Sequence, residues 1–300
     1  MIENNKPKIL VVLGPTATGK SDLSIKLAKK FNGEIISADS RQVFRGMNIG
    51  TGKITKKEKQ NIKHHLLDII SPRTRFNVEK YKKFADLAIE EILKKNKLPI
   101  ICGGTGFYIQ AIVDNINFPE VKPNEKMRTT FEKYSTQKLL DILRKLDSKR
   151  YQEIDKNNRV RIIRSIEIAR TLGSVPPVNS QEKYNSLQIG VIIPDQELKK
   201  RIYIRLIKRL RNGMIQEVKE LHSKGVSWKR MEQLGLEYRY LFRFLTDKIT
   251  RAQMIEQLNN EIWHYARRQK SWFRRDKRIR WFRPTAVQNI NKQVTKFLRE

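Results

Sequence analysis

Lys8-Ile9-Leu10-Val11-Val12-Leu13-Gly14-Pro15-Thr16-Ala17-Thr18-Gly19-Lys20-Ser21 decides the architecture of this 300-residue chain. The first six residues form a short apolar, β-branched run, and a helical pattern follows over 21–31. Between them, Gly14 to Ser21 fits G-x-x-x-x-G-K-[ST] in the strand–loop–helix setting that the motif requires. Glycines let the backbone wrap closely, so that successive N–H groups and the positive end of a helix face a phosphate. The Lys20 ammonium adds a point charge, and the Ser21 hydroxyl suits Mg²⁺. A diphosphate or triphosphate is therefore expected on Gly14, Pro15, Thr16, Ala17, Thr18, Gly19, Lys20 and Ser21. This is an ATP-binding type of P-loop, yet the same loop holds either a nucleotide whose γ-phosphoryl moves or a diphosphate that leaves, so it does not name the reaction.

Working outward, residues 34–37, 66–70 and 98–102 read as further strands, and 78–94 as a helix. Apolar strands alternating with helices predict an α/β fold: a P-loop NTPase-like, three-layer parallel sheet. Residues 1–117 would form the first part of that core. After Pro119 and Pro123 the pattern is helical without a convincing strand, which predicts an inserted all-helical domain over 118–180. Residues 181–300 return to the core through a strand at 187–193, then continue as a helical C-terminal part. A short strand at 279–282 and a last helix from 285 complete it.

Lysine and arginine total 63 against 31 acidic residues, a formal charge of +32 that favours a polyanionic partner. The charge concentrates at Arg267, Arg268, Lys270, Arg274, Arg275, Lys277, Arg278 and Arg280, interleaved with Trp263, Tyr265, Trp272, Phe273 and Trp281. Cations for phosphates beside rings for splayed bases suit a folded RNA, although these rings fit a core role better than base stacking. The one cysteine, Cys102, lies in an apolar run and excludes disulfides within the chain and cysteine-based zinc sites. His64-His65 would point to opposite faces of a strand, which reads as structural. No apolar stretch is of membrane-spanning length and no signal-peptide pattern leads the chain, so a cytoplasmic protein without membrane contact is expected. Single-sign charge and the lack of a heptad seam favour a monomer.

Three further stretches follow the loop: Asp39-Ser40-Arg41-Gln42-Val43-Phe44-Arg45-Gly46-Met47-Asn48-Ile49-Gly50-Thr51, His64-His65-Leu66-Leu67-Asp68-Ile69 and Gly103-Gly104-Thr105-Gly106-Phe107-Tyr108. In order and spacing they resemble the motif series of the tRNA dimethylallyltransferase (isopentenyltransferase, IPP transferase) family, in its bacterial form. The resemblance continues through Arg161 to Ile168, Arg201-Ile202-Tyr203-Ile204-Arg205, Gly235-Leu236-Glu237-Tyr238 and Arg267 to Arg274, and so covers nearly the whole chain. Leu236-Glu237-Tyr238 departs from the family's usual Gly-Tyr pattern and leaves that turn open.

The resemblance implies transfer of a dimethylallyl group from dimethylallyl diphosphate to N6 of adenosine 37, beside the tRNA anticodon, with diphosphate leaving and Mg²⁺ as cofactor. The P-loop would then bind the prenyl donor rather than ATP. Asp39 would be the general base, helping chiefly as the amine becomes acidic in the transition state; a Mg²⁺ ligand or a helix cap is the other reading. Thr105 would position the substrates, or simply cap a helix. Arg205 would contact the departing diphosphate, a role that Arg201, four residues away on the same helix face, could also take. The resemblance carries tRNA contact onto Asp39, Ser40, Arg41, Gln42, Thr105, Arg128, Val160, Arg161, Ile162, Ile163, Arg164, Gln233, Gly235, Tyr238, Arg267, Arg268, Trp272 and Arg274. The target base would have to flip out of its stack, and the insertion would clamp the anticodon stem-loop. Two rivals share the P-loop: a small-molecule kinase, which has no use for the basic C-terminal half, and an RNA-binding ATPase. The latter needs a strand ending in a metal-binding carboxylate, for which residues 35–39 are the only near fit.

Overall fold

The computed structural model describes residues 6–177 and 181–300. Six strands, β1 (Lys8–Leu13), β2 (Gly33–Ala38), β3 (His64–His65), β4 (Leu98–Gly103), β5 (Asn185–Val191) and β6 (Arg280–Phe282), form one sheet in the order β3-β2-β4-β1-β5-β6. Every pairing is parallel, with Leu10 opposite Ile100 and Leu187, and Ile35 opposite Ile100. Because successive side chains point to opposite faces, the unbroken apolar run of β1 feeds two cores at once. Ile9, Val11 and Leu13 join Ile36 and Ile101 under helices Val78–Lys94 and Gly106–Val113. Leu10 and Val12 join Ile35, Ile100 and Ile189 under helices Lys20–Lys30 and Val287–Arg299. This is the three-layer parallel α/β arrangement that the sequence predicts.

Helices Asp195–Arg211, Met214–Ser223, Trp228–Leu234, Leu236–Leu245 and Arg251–Phe273 build a further core around Val43, Phe44 and Met47. The long helix starts with a capping box, in which Thr250 accepts from the Gln253 N–H and the Gln253 side chain accepts from the Thr250 N–H. The chain divides into two compact units, Ile116–Gln181 and the remainder. The smaller unit packs Phe131, Leu139, Leu143, Ile162 and Ile166 from helices Glu125–Glu132, Thr136–Leu146 and Arg159–Leu172.

One expected element changes. The strand anticipated at 66–70 is displaced to β3, because Leu66 (φ 62°) and Asp68 (φ 58°) take left-handed backbone conformations that end an extended run. Only Ile70 pairs again, in an isolated parallel bridge to Phe44. The apolar pattern there fills the core with Leu66 and packs Ile69 against it; it does not form a sheet edge.

Candidate active site

The carboxyl ends of β1, β2 and β4 meet at one edge of the sheet, where open parallel sheets bind ligands. From β1 issues the P-loop, from β2 Asp39, and from β4 the Gly103–Gly106 turn. Gly14 has φ 141°, and a Cβ there would run into the Val191 carbonyl on the neighbouring strand, so the turn out of β1 requires glycine. These three segments surround a cavity of about 370 Å³ lined by Lys20, Ser21, Asp39, Gly104, Arg205 and Gln269 among others.

A second recess adjoins it. Thr16, Ala17, Asp39, Thr51, Arg205 and Tyr265 belong to both walls, and the recess continues between Ile202, Leu206, Leu236 and Ile262. Asp39 therefore stands where the P-loop cavity opens into a smaller recess whose wall combines those apolar side chains with Arg41, Arg209 and Glu237. Its Oδ1 accepts the backbone N–H groups of Arg41 (2.8 Å) and Gln42 (3.3 Å), which fixes the plane of the carboxylate. Asp39 thus caps a turn of its own loop and starts no helix.

The cavity wall sets three cations, Lys20, Arg201 and Arg205, beside the carboxylates of Asp22, Asp39 and Glu58. Packing around the Lys20 ammonium desolvates it and brings its pKa down to about 8; nearby Cys102 and Asp39 oppose that shift, and Arg205 adds to it. Lys20 Nζ donates to the Pro15 carbonyl, across the loop it serves. Arg205 is pushed down to about 10 by desolvation, with Arg209 adding to the shift and Glu237 opposing it. Its Nη1 donates to the Thr16 hydroxyl at 3.3 Å, and its Nη2 to the Gly52 carbonyl at 3.4 Å. Arg201 also lines the cavity but pairs with Glu197 at 2.6 Å, so Arg205 is the arginine tied to the P-loop.

Thr105 does not cap its helix. Its hydroxyl accepts the Ser40 N–H at 3.1 Å and hydrogen-bonds Tyr265, which ties the β4 turn to the Asp39 loop. Burial keeps the Tyr265 phenol well above its ordinary pKa, with Asp39 adding, so it acts as a hydrogen-bond donor at neutral pH. The segment after Asp39 is held from behind. Glu217 accepts the N–H groups of Asn48 (2.8 Å), Ile49 (2.6 Å) and Gly50 (3.0 Å), and the Tyr238 hydroxyl at 2.9 Å. Arg209 donates to the Gly50 carbonyl and pairs with buried Glu237 at 3.0 Å, which explains a charged residue at the divergent Leu236-Glu237 turn.

Oxygen donors for a divalent cation are present: the exposed Ser21 hydroxyl at the helix N-terminus and the Asp39 carboxylate share one cavity. With a diphosphate to supply further oxygens, this set fits Mg²⁺, which favours one or two carboxylates plus phosphates.

The residues expected to meet tRNA fall into two groups. Arg267, Arg268 and Arg274 are exposed along the long helix, as are Val160 and Arg161 in the smaller unit; Gln233 is exposed beside Gly235. Others face inward. Tyr238 is buried and donates to Glu217, and Ile162 is fully buried in the core of the smaller unit, against which partly buried Ile163 packs. Trp272 packs edge-on against Phe107. Arg128 donates both Nε and Nη2 to buried Glu167, and Arg164 donates to Glu167 and the Val121 carbonyl, so these two brace the smaller unit. Part of the basic cluster is structural as well, since Lys270 pairs with Asp195, and Arg278 with Asp276 and Asp114. Among the lining residues given no site role from sequence are His64, Tyr265, Gln269 and Glu237. His64, read as structural, lines the P-loop cavity with its Nδ1 donating to the Ile62 carbonyl, whereas His65 bonds Glu34 at 2.7 Å.

Comparison with known proteins agrees with this arrangement. The family model described as IPP transferase matches residues 42–276. The chain is 39% identical over 270 residues to tRNA dimethylallyltransferase 1 of Geotalea uraniireducens, covering 90% of this chain and 89% of that one. It is 36% identical to the tRNA dimethylallyltransferase of Anoxybacillus flavithermus, covering 97% and 95%. Among solved structures, the tRNA isopentenylpyrophosphate transferase of Bacillus halodurans superposes with a TM-score of 0.75 at 32% identity, covering 98% and 97%. A eukaryotic dimethylallyltransferase captured acting on tRNA superposes at 0.76 and 27% identity, over 89% of this chain and 69% of that one. The loop, the carboxylate and the two-part cavity thus belong with a relationship that spans almost the full sequence: the chain is a member of the IPP transferase family.

Proposed function

We propose that this protein transfers the dimethylallyl group of dimethylallyl diphosphate to N6 of adenosine 37 in tRNA, releasing diphosphate. The observation that carries this reading is the junction at Asp39 between the P-loop cavity, with Lys20 and Arg205 on its wall, and a smaller recess walled in part by Ile202, Leu206, Leu236 and Ile262. A donor with a charged head and a short branched hydrocarbon tail fits that pair of surfaces.

The diphosphate lies on the P-loop with Lys20 and Arg205 as its cations. Ser21, with the donor's own oxygens, would hold Mg²⁺, and the ion would supply charge neutralisation for the leaving group. Adenosine 37 leaves its stack and presents N6 to the donor's first carbon. The new N–C bond forms as the C–O bond to diphosphate breaks, and the amine proton passes to Asp39. Oδ1 is engaged by Arg41 and Gln42 N–H groups, which leaves Oδ2 as the accepting oxygen. The proton becomes acidic only as the bond forms, so a fixed carboxylate acts chiefly on the transition state. Exposed Arg267, Arg268 and Arg274, with Arg161 on the smaller unit, bind tRNA phosphates. The enzyme works as a cytoplasmic monomer; among the described residues no helix is long and apolar enough to cross a membrane.

Calorimetric titration with dimethylallyl diphosphate and with ATP, both with Mg²⁺, tests the ligand. Micromolar binding of the prenyl diphosphate and about 100-fold weaker ATP binding is the expected result, since only the former fills the recess. Tighter ATP binding would overturn the reading in favour of phosphoryl transfer.

A further inference from the structure

Gln269 lies on the long helix Arg251–Phe273, two residues after Arg267, and is 6% exposed. Its Oε1 accepts the Thr16 backbone N–H at 2.8 Å, and its Nε2 donates to the Gly104 carbonyl at 2.8 Å. The amide orientation is forced, because a backbone N–H can only donate and a carbonyl can only accept. One side chain thus bridges the P-loop and the β4 turn. A Cβ on Gly104 would collide with Nε2, so a glycine is what admits the amide. Thr16 in turn accepts from Arg205 through its hydroxyl. The bridge therefore runs from the long helix through Thr16 to the arginine over the phosphate cavity.

We propose that Gln269 is a positioning residue that holds the P-loop and Arg205 in their diphosphate-binding arrangement, an inference that rests on the donor's diphosphate occupying that loop. It acts through Thr16 and Gly104 and does not touch the reacting atoms. Without it, the Thr16 N–H and the Gly104 carbonyl lose their shared partner, and the loop must reorganise before it can receive a diphosphate.

Two variants test this. Gln269→Met keeps the length and volume of the side chain and removes both hydrogen bonds. Gln269→Glu keeps the acceptor for Thr16, and its protonated form restores the donor to Gly104. Inorganic diphosphate with Mg²⁺ is the binding probe, followed by KM for each substrate in steady state. Gln269→Met should bind diphosphate about tenfold more weakly and raise the donor KM by a similar factor, with the tRNA KM changed less than about twofold. In Gln269→Glu the donor KM relative to wild type should fall as pH drops from about 8 to about 6, because a buried carboxyl beside a carbonyl takes up its proton in that range. Unchanged diphosphate affinity in Gln269→Met would overturn the inference, as would an equal rise in both KM values or a pH-independent ratio in Gln269→Glu. Binding of diphosphate but not of dimethylallyl diphosphate by the wild type would instead sink the proposed donor, while the diphosphate comparison would still decide the role of Gln269.

Discussion

With a diphosphate on the P-loop, as proposed, Lys20 would set a pH limit on the reaction. Its pKa of about 8 belongs to the protein without a phosphate ligand, where desolvation disfavours the ammonium. A bound diphosphate favours the charged form, so the pKa rises on binding. The sign follows: affinity is full below the lower value and declines as pH rises through about 8, with a proton taken up on binding above it. Titrating inorganic diphosphate in two buffers of different ionisation enthalpy measures that uptake. We expect it at alkaline pH in wild type and not in Lys20→Met; identical heats in the two buffers at alkaline pH would contradict the assignment. Arg205 is bound to the same loop but remains charged, because even its lowered value of about 10 lies above the working range.

The elements differ in how far they can be read from sequence. β1, the P-loop and the helix after it are contiguous, and their signal is local: apolar run, glycines, lysine, hydroxyl. Asp39 and Gly103–Gly106 follow strands in the same way, so their arrival at one sheet edge follows from parallel topology. His64, Tyr265, Gln269 and Glu237 carry no such signal. Each is one polar or aromatic residue whose meaning depends on a partner far along the chain, such as Thr16 for Gln269 or Arg209 for Glu237. The strand anticipated at 66–70 misleads for a related reason, since Leu66 contributes to the core from a left-handed turn. The basic cluster was legible as charge but not as geometry, because periodicity does not reveal that Lys270 and Arg278 have acidic partners while Arg267 and Arg274 stay exposed. At this scale the long helix makes a prediction. Replacing Arg267 and Arg268 by Gln should weaken tRNA binding and lower the slope of log affinity against log salt by up to about two, roughly one per phosphate contact, leaving diphosphate affinity unchanged. Filter binding across a salt series checks it, and an unaltered slope would remove this helix from the interface.

At the scale of the whole molecule, charge dominates but does not hold the protein together. A formal +32 resists compaction, and the large parallel sheet with its two apolar faces supplies the counterweight. The smaller unit has a modest core and relies on an ionic brace. Glu167 is 1% exposed; burial pushes its pKa up, but hydrogen bonds from Arg128 and the Asn124 N–H, with Arg164, outweigh that and hold it below 4.5. A depressed carboxyl stabilises the fold above its ordinary value and loses that contribution as pH falls through the folded value. The smaller unit should therefore soften below pH 4.5, whereas Glu167→Gln should be weaker at neutral pH and less sensitive to acid. Removing the carboxylate's charge weakens the hydrogen bonds from two partly exposed guanidinium groups, Arg128 and Arg164, a loss of about 2 kcal/mol. Thermal unfolding as a function of pH reads both effects, and parallel curves for the two proteins would contradict the brace.

In the proposed reaction Asp39 removes the proton as a dimethylallyl group passes from diphosphate to a tRNA amine. Asp39→Asn tests it well, because an amide oxygen still accepts from the Arg41 and Gln42 N–H groups but cannot take a proton. Purified protein is incubated with Mg²⁺, radiolabelled dimethylallyl diphosphate and unmodified tRNA carrying adenosine 37, and the label in the RNA is located after digestion. The account predicts label on N6 of that adenosine with wild type, a loss of at least about 100-fold with Asp39→Asn, and unchanged tRNA affinity. Full transfer by Asp39→Asn would contradict the proton role, and consumption of ATP with no label in the RNA would contradict the reaction itself.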